Sequence, residues 1–449
     1  MTTTWSRREW ALLVAGAGSL GAAIALQPVV TALLAVAAGL LVALHNFTRP
    51  LYAIVAGLAL LPVTVIQPIP VPNRVVVVGV AVVLALLAMS FHDRSLASAW
   101  GGLVAAWCTL LALAVAAIVN VDEPAPLGAI VAGAGPLLGL AALLPYAHAC
   151  GRERPDVVGR CADLLVVVGA LLSLLAAYQA ATGRWPLVDS LARSIGLTPS
   201  REGRAAAVFG HPARYGSFAG AMALLALVRQ GNLWQLLFVA NLAGLLLSGT
   251  RTAWLAFAVG LLACLVAGRR RLSPSWRSLA VGTASAALAL VLFAVAAPGG
   301  ARDLGQSISA RLGAVGSSYR DRGSLLDEGW DRLSGSPRRL LFGYGPGAEE
   351  ELFGERGFRI SGQPATFDNA YATVWYELGL VGLLVLGGLL VLGVVARGPL
   401  ESRILFLFLA VSMLSYVGYR WPAIYALVLL AVGLRAAQAA QPPVIRRTA

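Results

Sequence analysis

The chain has 449 residues, 58% of them hydrophobic and only 12% charged, a balance that excludes an ordinary soluble domain. Its formal net charge of +13 comes entirely from arginine, since no lysine occurs. In a soluble protein that excess would point to nucleic acid; between apolar runs long enough to cross a bilayer it points instead to membrane orientation and to anionic lipid or phosphate.

In chain order the apolar runs predict spans over 9–26, 28–45, 50–66, 75–91, 99–119, 126–149, 162–181, 206–228, 232–248, 251–267, 278–297, 370–396, 402–418 and 420–438. The expected fold is all-α, a polytopic membrane helix bundle of about 12–14 spans with one large extracytoplasmic loop domain. Arg7 and Arg8 before the first run suggest a signal peptide, but no small-residue cleavage site follows, so a retained first span is expected. No 20–50-residue period is visible, so a repeat architecture is not expected. Cys108, Cys150, Cys161 and Cys264 fall in or beside apolar runs, without metal-ligand spacing, and read as small core residues.

Arginine sets the orientation. With the N-terminus inside, the inner links hold Arg49, Arg94, Arg152, Arg154, Arg160, Arg229, Arg269, Arg270, Arg271, Arg277, Arg397 and Arg403, and the tail adds Arg435, Arg446 and Arg447. The short outer links hold only Arg74, Arg251 and Arg420. Both ends are therefore expected in the cytoplasm, with the longer segments 182–205 and 298–369 facing outward. Four units follow: an N-terminal transmembrane bundle (1–205), a transmembrane core with the Arg251 link (206–297), the extracytoplasmic loop domain (298–369) and C-terminal transmembrane helices (370–449).

Segment 298–369 is longer than a connection needs to be, and such loops are usually functional. Within it SLLDEGWDRLSG predicts a short amphipathic helix with Leu325, Leu326, Trp330 and Leu333 on one face, ending at Gly335 and Pro337. FGYGPG predicts a tight turn where backbone approaches something closely; because no strand precedes it, no nucleotide fold is implied.

Four stretches carry a family resemblance: GRAAAVFGHPARYGSFAGAMALL, LLLSGTRTAWLAF, YRDRGSLLDEGWDRLSGSPRRLLFGYGPG and FDNAYATVWYELGLVGLL. In this order, spanning roughly residues 200 to 390, they resemble the O-antigen ligase and polymerase superfamily of bacterial membrane glycosyltransferases. The resemblance implies a GT-C-like bundle in the cytoplasmic (inner) membrane, multi-pass, with an outward-facing active site. It also implies a polyprenyl-diphosphate-linked glycan donor, a glycan or lipid-linked acceptor, a setting among membrane lipids, and no cofactor or metal. Ligases of the family carry His-Asn where this chain has Asp368-Asn369, and Asp-Asn is similar to polymerase-like members. The expected function is therefore polymerisation of a cell-surface polysaccharide by inverting transfer. The alternatives are ligase-like transfer to a lipid, glycan or protein, and a flippase or transporter, for which the matched half-repeats of many transporters are missing from the sequence.

Transfer from a lipid diphosphate needs a cation that stays charged and grips phosphate oxygens, which suits the guanidinium fork. Arg251 is the leading candidate, because a cation at a helix start opposes the macrodipole and calls for a reason. Arg204, Arg214 and Arg320 are further candidates for diphosphate binding, against surface charge pairing with Glu202 or Asp321. Arg338 and Arg339 read rather as headgroup contacts. Asp368 would be the base, with N-capping by Asp368 or Asn369 as the structural alternative. His211 and Tyr371 are additional candidates, His211 equally as a packed or capping side chain, and Glu377 is expected to pair with an arginine. Trp185, Trp254, Trp330, Trp375 and Tyr376 offer rings for sugar stacking, against the more common role in the interfacial aromatic belt.

Overall fold

The computed structural model describes residues 48–60, 73–91, 100–119, 127–182, 205–209, 211–229, 231–268, 326–349, 352, 359–360, 363–364, 367, 369–414 and 421–440. The expected spans 9–26, 28–45 and 278–297 lie outside them, as do Arg204, Arg320 and Asp368. The described chain is helical: α1 (Pro50–Leu60), α2 (Asn73–Phe91), α3 (Trp100–Val119), α4 (Leu127–Glu153), α5 (Pro155–Thr182), α6 (Pro212–Val228), α7 (Asn232–Leu247) and α8 (Arg251–Gly268). A lobe follows, with α9 (326–334), α10 (Pro337–Phe342) and a two-residue antiparallel pair, β1 (Arg359–Ile360) with β2 (Gln363–Pro364). The bundle then resumes with α11 (Ala370–Val395), α12 (Leu400–Ser412) and α13 (Pro422–Ala439).

These helices coincide with the expected spans, with physically simple differences. α5 starts at Pro155 rather than 162, since proline at the first helical position and Asp156 in the first turn make a good start even though both are polar-zone residues. α6 starts at Pro212 rather than 206; residues 207–209 form a separate 3₁₀ turn. α5 and α11 are each long and apolar enough to cross a membrane by length and composition, and several shorter apolar helices stand beside them. The outer surface is apolar as well: Trp107, Leu174, Leu236, Val266 and Leu384 are all more than half exposed. Aqueous proteins avoid such continuous exposure, and a helix bundle bathed in lipid tolerates it.

Inside, small residues and a few hydrogen-bonded polar groups hold the helices together. Asn241 on α7 is fully buried and donates to the carbonyls of Val166 and Leu237. Tyr215 on α6 donates to the Ser173 hydroxyl at 3.0 Å, and Ser173 donates to Gly169 O. Gly169 and Gly244 leave the room these side chains occupy, since a methyl group at either would overlap Asn241, or Tyr215 and Ser173. Cys150, Cys161 and Cys264 are buried as expected, whereas Cys108 is exposed on α3.

Contacts sort the links to two ends of the bundle. At one end Arg229, after α6, pairs with buried Asp163 of α5 at 3.1 Å and with Glu401 of α12 at 4.0 Å. At this end too, Arg435 of α13 donates to the carbonyls of Leu392, Gly393 and Ala396, and Arg403 donates to Val394 O. The two guanidinium groups thereby satisfy the open carbonyls at the C-terminus of α11, where the helix dipole favours cations. The opposite end gathers residues 179–182, 205–209, 211, 247–251, 367, 369–371, 410–414 and 421. Among the described arginines, Arg229, Arg403 and Arg435, expected on inner links or the tail, thus fall at one end and Arg251, expected on an outer link, at the other.

Candidate functional site

Arg251 is the first residue of α8, exposed, just after the buried link Ser248–Thr250. The link is stitched locally: Ser248 donates to Leu245 O at 2.6 Å, Thr250 N donates to the Ser248 hydroxyl, and the Trp254 indole donates to Leu245 O. Trp254 is thus a structural donor. Gly216 in the second turn of α6 faces Ser248 and Thr250 with no room for a Cβ. The close approach sets the Arg251 link directly against the start of α6.

That start carries His211 and Arg214. His211 is the N-cap of α6, and its Nδ1 accepts from Ala213 N at 3.2 Å, so the capping role weighed for it is present. Its exposed ring lies 6.3 Å from that of Trp421, and the Arg214 guanidinium sits over the same indole at 4.6 Å. Trp421, the N-cap position of α13, is the functional-looking aromatic that sequence reasoning missed. The available signal was its place between Arg420 and Pro422 at a span start.

The segment next to Arg204 is held on both sides. Ala205 N donates to Leu247 O, four residues before Arg251. Ala207 has φ +44, a left-handed conformation costing alanine roughly 1–2 kcal/mol. The Gln179 side chain offsets that strain by accepting from Ala207 N at 2.9 Å and donating to Ala207 O at 3.3 Å. The segment that begins at Ala205 and those bearing Arg214 and Arg251 therefore meet at one end of the bundle.

The fourth motif opens α11 at the same end. Asn369 is its N-cap, accepting from Tyr371 N at 3.0 Å and Ala372 N at 3.2 Å. Tyr371 donates its hydroxyl to Ala410 O at 2.7 Å, and Ala370 N donates to Met413 O, so both pin the start of α11 to the end of α12. Tyr371 is thus engaged structurally.

The lobe docks on α11 through glycine. At Gly379 the helix breaks (φ +66, ψ −164), and Gly343 in FGYGPG has nearly the same backbone (φ +70, ψ −165). The two face each other, such that a Cβ on Gly343 would overlap the Glu377 backbone and one on Gly379 the Leu341 carbonyl. The break frees the carbonyls of Tyr376 and Glu377, which accept from Tyr344 N and Gly345 N, each at 2.9 Å. A freed carbonyl in a bilayer needs such a partner. The close approach expected of FGYGPG is therefore an approach to α11.

Around this joint Leu333, Ala348, Leu352, Phe367 and Tyr376 form a small core. Tyr376 is buried and stacked on Tyr344 at 4.9 Å, which corrects the expectation that it offers a ring to sugar. Trp330 is half exposed and meets Trp375 at 5.2 Å. The apolar face expected on α9 is split: Leu333 enters the lobe core, while Leu326 and Trp330 point outward. The helix ends at Gly335 as expected, and Pro337 opens α10. Arg332 is held above the ordinary arginine value: partial burial pulls it down, but the Glu328 carboxylate at 2.8 Å and the Tyr376 hydroxyl outweigh that. Arg339 stacks on the Tyr344 ring and donates to its hydroxyl at 2.9 Å, so it is a lobe contact. Glu377 is buried at the joint.

What fold and site define together is a helical bundle with Arg214 and Arg251 at one end and a lobe docked on α11. Residues 236–387, from within α7 to within α11, match the family described as O-antigen ligase, a match that supports membership in the O-antigen ligase and polymerase superfamily. No curated protein matches the chain. The match supports glycan transfer of the O-antigen ligase type in general.

Proposed function

We propose that the protein elongates a cell-surface polysaccharide at the outer face of the bacterial cytoplasmic membrane, using a polyprenyl-diphosphate-linked glycan as donor. The observation that carries this reading is the meeting of the segments bearing Ala205, Arg214 and Arg251 at the bundle end opposite Arg229, Arg403 and Arg435. An acceptor hydroxyl attacks the anomeric carbon from the face opposite the diphosphate. The new glycosidic C–O bond forms as the bond to the diphosphate oxygen breaks, which inverts the centre. The hydroxyl proton passes to the Asp368 carboxylate. Arg251 meets the charge that develops on the departing diphosphate, with Arg204, Arg214 and Arg320 as further phosphate contacts. His211 and Asn369 contribute as the caps that start α6 and α11, and no metal is required.

The test is transfer by purified protein in nanodiscs, with a polyprenyl-diphosphate oligosaccharide as both donor and acceptor. Wild type should give a ladder of longer lipid-linked products. Arg251→Ala should lose on the order of 10²–10³-fold in rate, as removal of one preorganised donor does elsewhere. Arg251→Lys should recover little, because lysine keeps the charge without the bidentate fork. Asp368→Asn should be inactive. Full activity in both Arg251→Ala and Asp368→Asn would refute the assigned roles.

A second reading, ligase-like transfer of a finished glycan to another lipid, glycan or protein, is favoured by the family match itself, whose description is O-antigen ligase. It predicts a single transfer to an added acceptor and no ladder.

A further inference from the structure

Glu349 belongs to none of the roles above, yet it is among the most buried charged residues described, 1% exposed, in the turn that follows FGYGPG. Its Oε1 accepts from Phe367 N at 3.0 Å and from the Thr373 hydroxyl at 3.0 Å. That hydroxyl also lies 3.1 Å from Asn369 O and is shared between the two acceptors. One carboxylate oxygen thus ties together the residue before Asp368 and the first turn of α11 after it. Phe367 is fixed from its other side, since its ring fills the notch left by Gly329 of α9. Asn369 is fixed by capping α11. Phe367 and Asn369, the neighbours of Asp368 in sequence, are therefore both anchored, the first of them by the lobe.

Burying a carboxylate is costly unless it is well hydrogen-bonded. Here the start of α11 helps, because the positive end of the helix dipole favours an anion. We propose that Glu349 is a positioning residue for glycan transfer, holding Phe367 and Thr373, which flank the Asp368–Asn369 pair in sequence, in the arrangement that transfer requires. The proposal rests on the role assigned to Asp368 above. It also gives the lobe a function, since a lobe that shifts off α11 would carry the candidate base out of line.

The test uses the full-length protein in nanodiscs with Glu349→Ala, Glu349→Gln, Thr373→Val and Asp368→Asn side by side. Glu349→Ala should lower kcat about 10- to 100-fold, the scale of a misplaced reacting group, while KM for donor and the number of donor sites per chain stay within about twofold. Glu349→Gln keeps an oxygen acceptor for both donors and should return to within about threefold of wild type. Thr373→Val should fall between the two. Independently of activity, Glu349→Ala should speed hydrogen exchange at the Phe367 amide by at least about tenfold, with exchange in α5–α8 unchanged. An inactive Asp368→Asn beside a fully active Glu349→Ala would overturn the positioning role alone. A fully active Asp368→Asn would overturn the base assignment and the positioning role with it. Unchanged exchange at Phe367 in Glu349→Ala would overturn the proposal whatever the transfer assay reads.

Discussion

Replacing Gly343 by alanine tests how the lobe is held. The backbone at this position (φ +70, ψ −165) lies in a region open essentially to glycine alone, and holding another residue there costs about 1–3 kcal/mol. The added methyl would also overlap the backbone of Glu377, which cannot rotate away as a flexible side chain would. Relief requires the turn to lift from α11, breaking the bonds from Tyr344 N to Tyr376 O and from Gly345 N to Glu377 O. Each contributes about 1 kcal/mol net. A destabilisation of docking of about 3 kcal/mol follows, which is on the order of 10²-fold in the opened population. Hydrogen exchange read by mass spectrometry should show the amides of residues 344–345 exchanging on the order of 10²-fold faster in Gly343→Ala. Gly387→Ala is the control: a Cβ there meets nothing within 4 Å, and alanine in a helix interior gains up to about 1 kcal/mol over glycine. If residues 344–345 exchanged at the wild-type rate in Gly343→Ala, the glycine-to-glycine joint would not be what holds the lobe.

Arg229→Ala should destabilise the bundle by about 3–5 kcal/mol, because it leaves Asp163 buried without its cation; Arg229→Ala with Asp163→Asn should melt higher than Arg229→Ala alone in detergent, and equal melting would show the pair to be incidental. Asn369→Ala removes the acceptor for two amides of α11 and should cost about 1 kcal/mol, readable as faster exchange confined to residues 371–372. Tyr371→Phe should cost about 1 kcal/mol by losing the bond to Ala410 O while leaving transfer within a few-fold of wild type; a transfer-dead Tyr371→Phe would make its hydroxyl part of the chemistry. Excess chelator should leave the transfer rate unchanged, and loss that divalent cation restores would refute a charge-stabilising role carried by arginine alone.

The sequence by itself determined the helical class, the starts of the described bundle helices to within about seven residues, and which of the described links share an end. Apolar length and arginine placement are one-dimensional properties, read without knowing what packs on what. FGYGPG likewise announced a close backbone approach, because glycines so spaced have few other uses. What the turn approaches was decided only in three dimensions, by the matching break at Gly379. Long-range polar clamps were equally hidden. Gln179 reaches Ala207 across 28 positions, Glu349 reaches Thr373 across 24 and Arg435 reaches Leu392 across 43. Residues such as Gln179, Glu349 and Trp421 look ordinary in the chain, since nothing local distinguishes a surface glutamate from a buried one. Their roles exist only because packing brings a distant amide, hydroxyl or guanidinium to within bonding distance and removes the water that would otherwise compete for it.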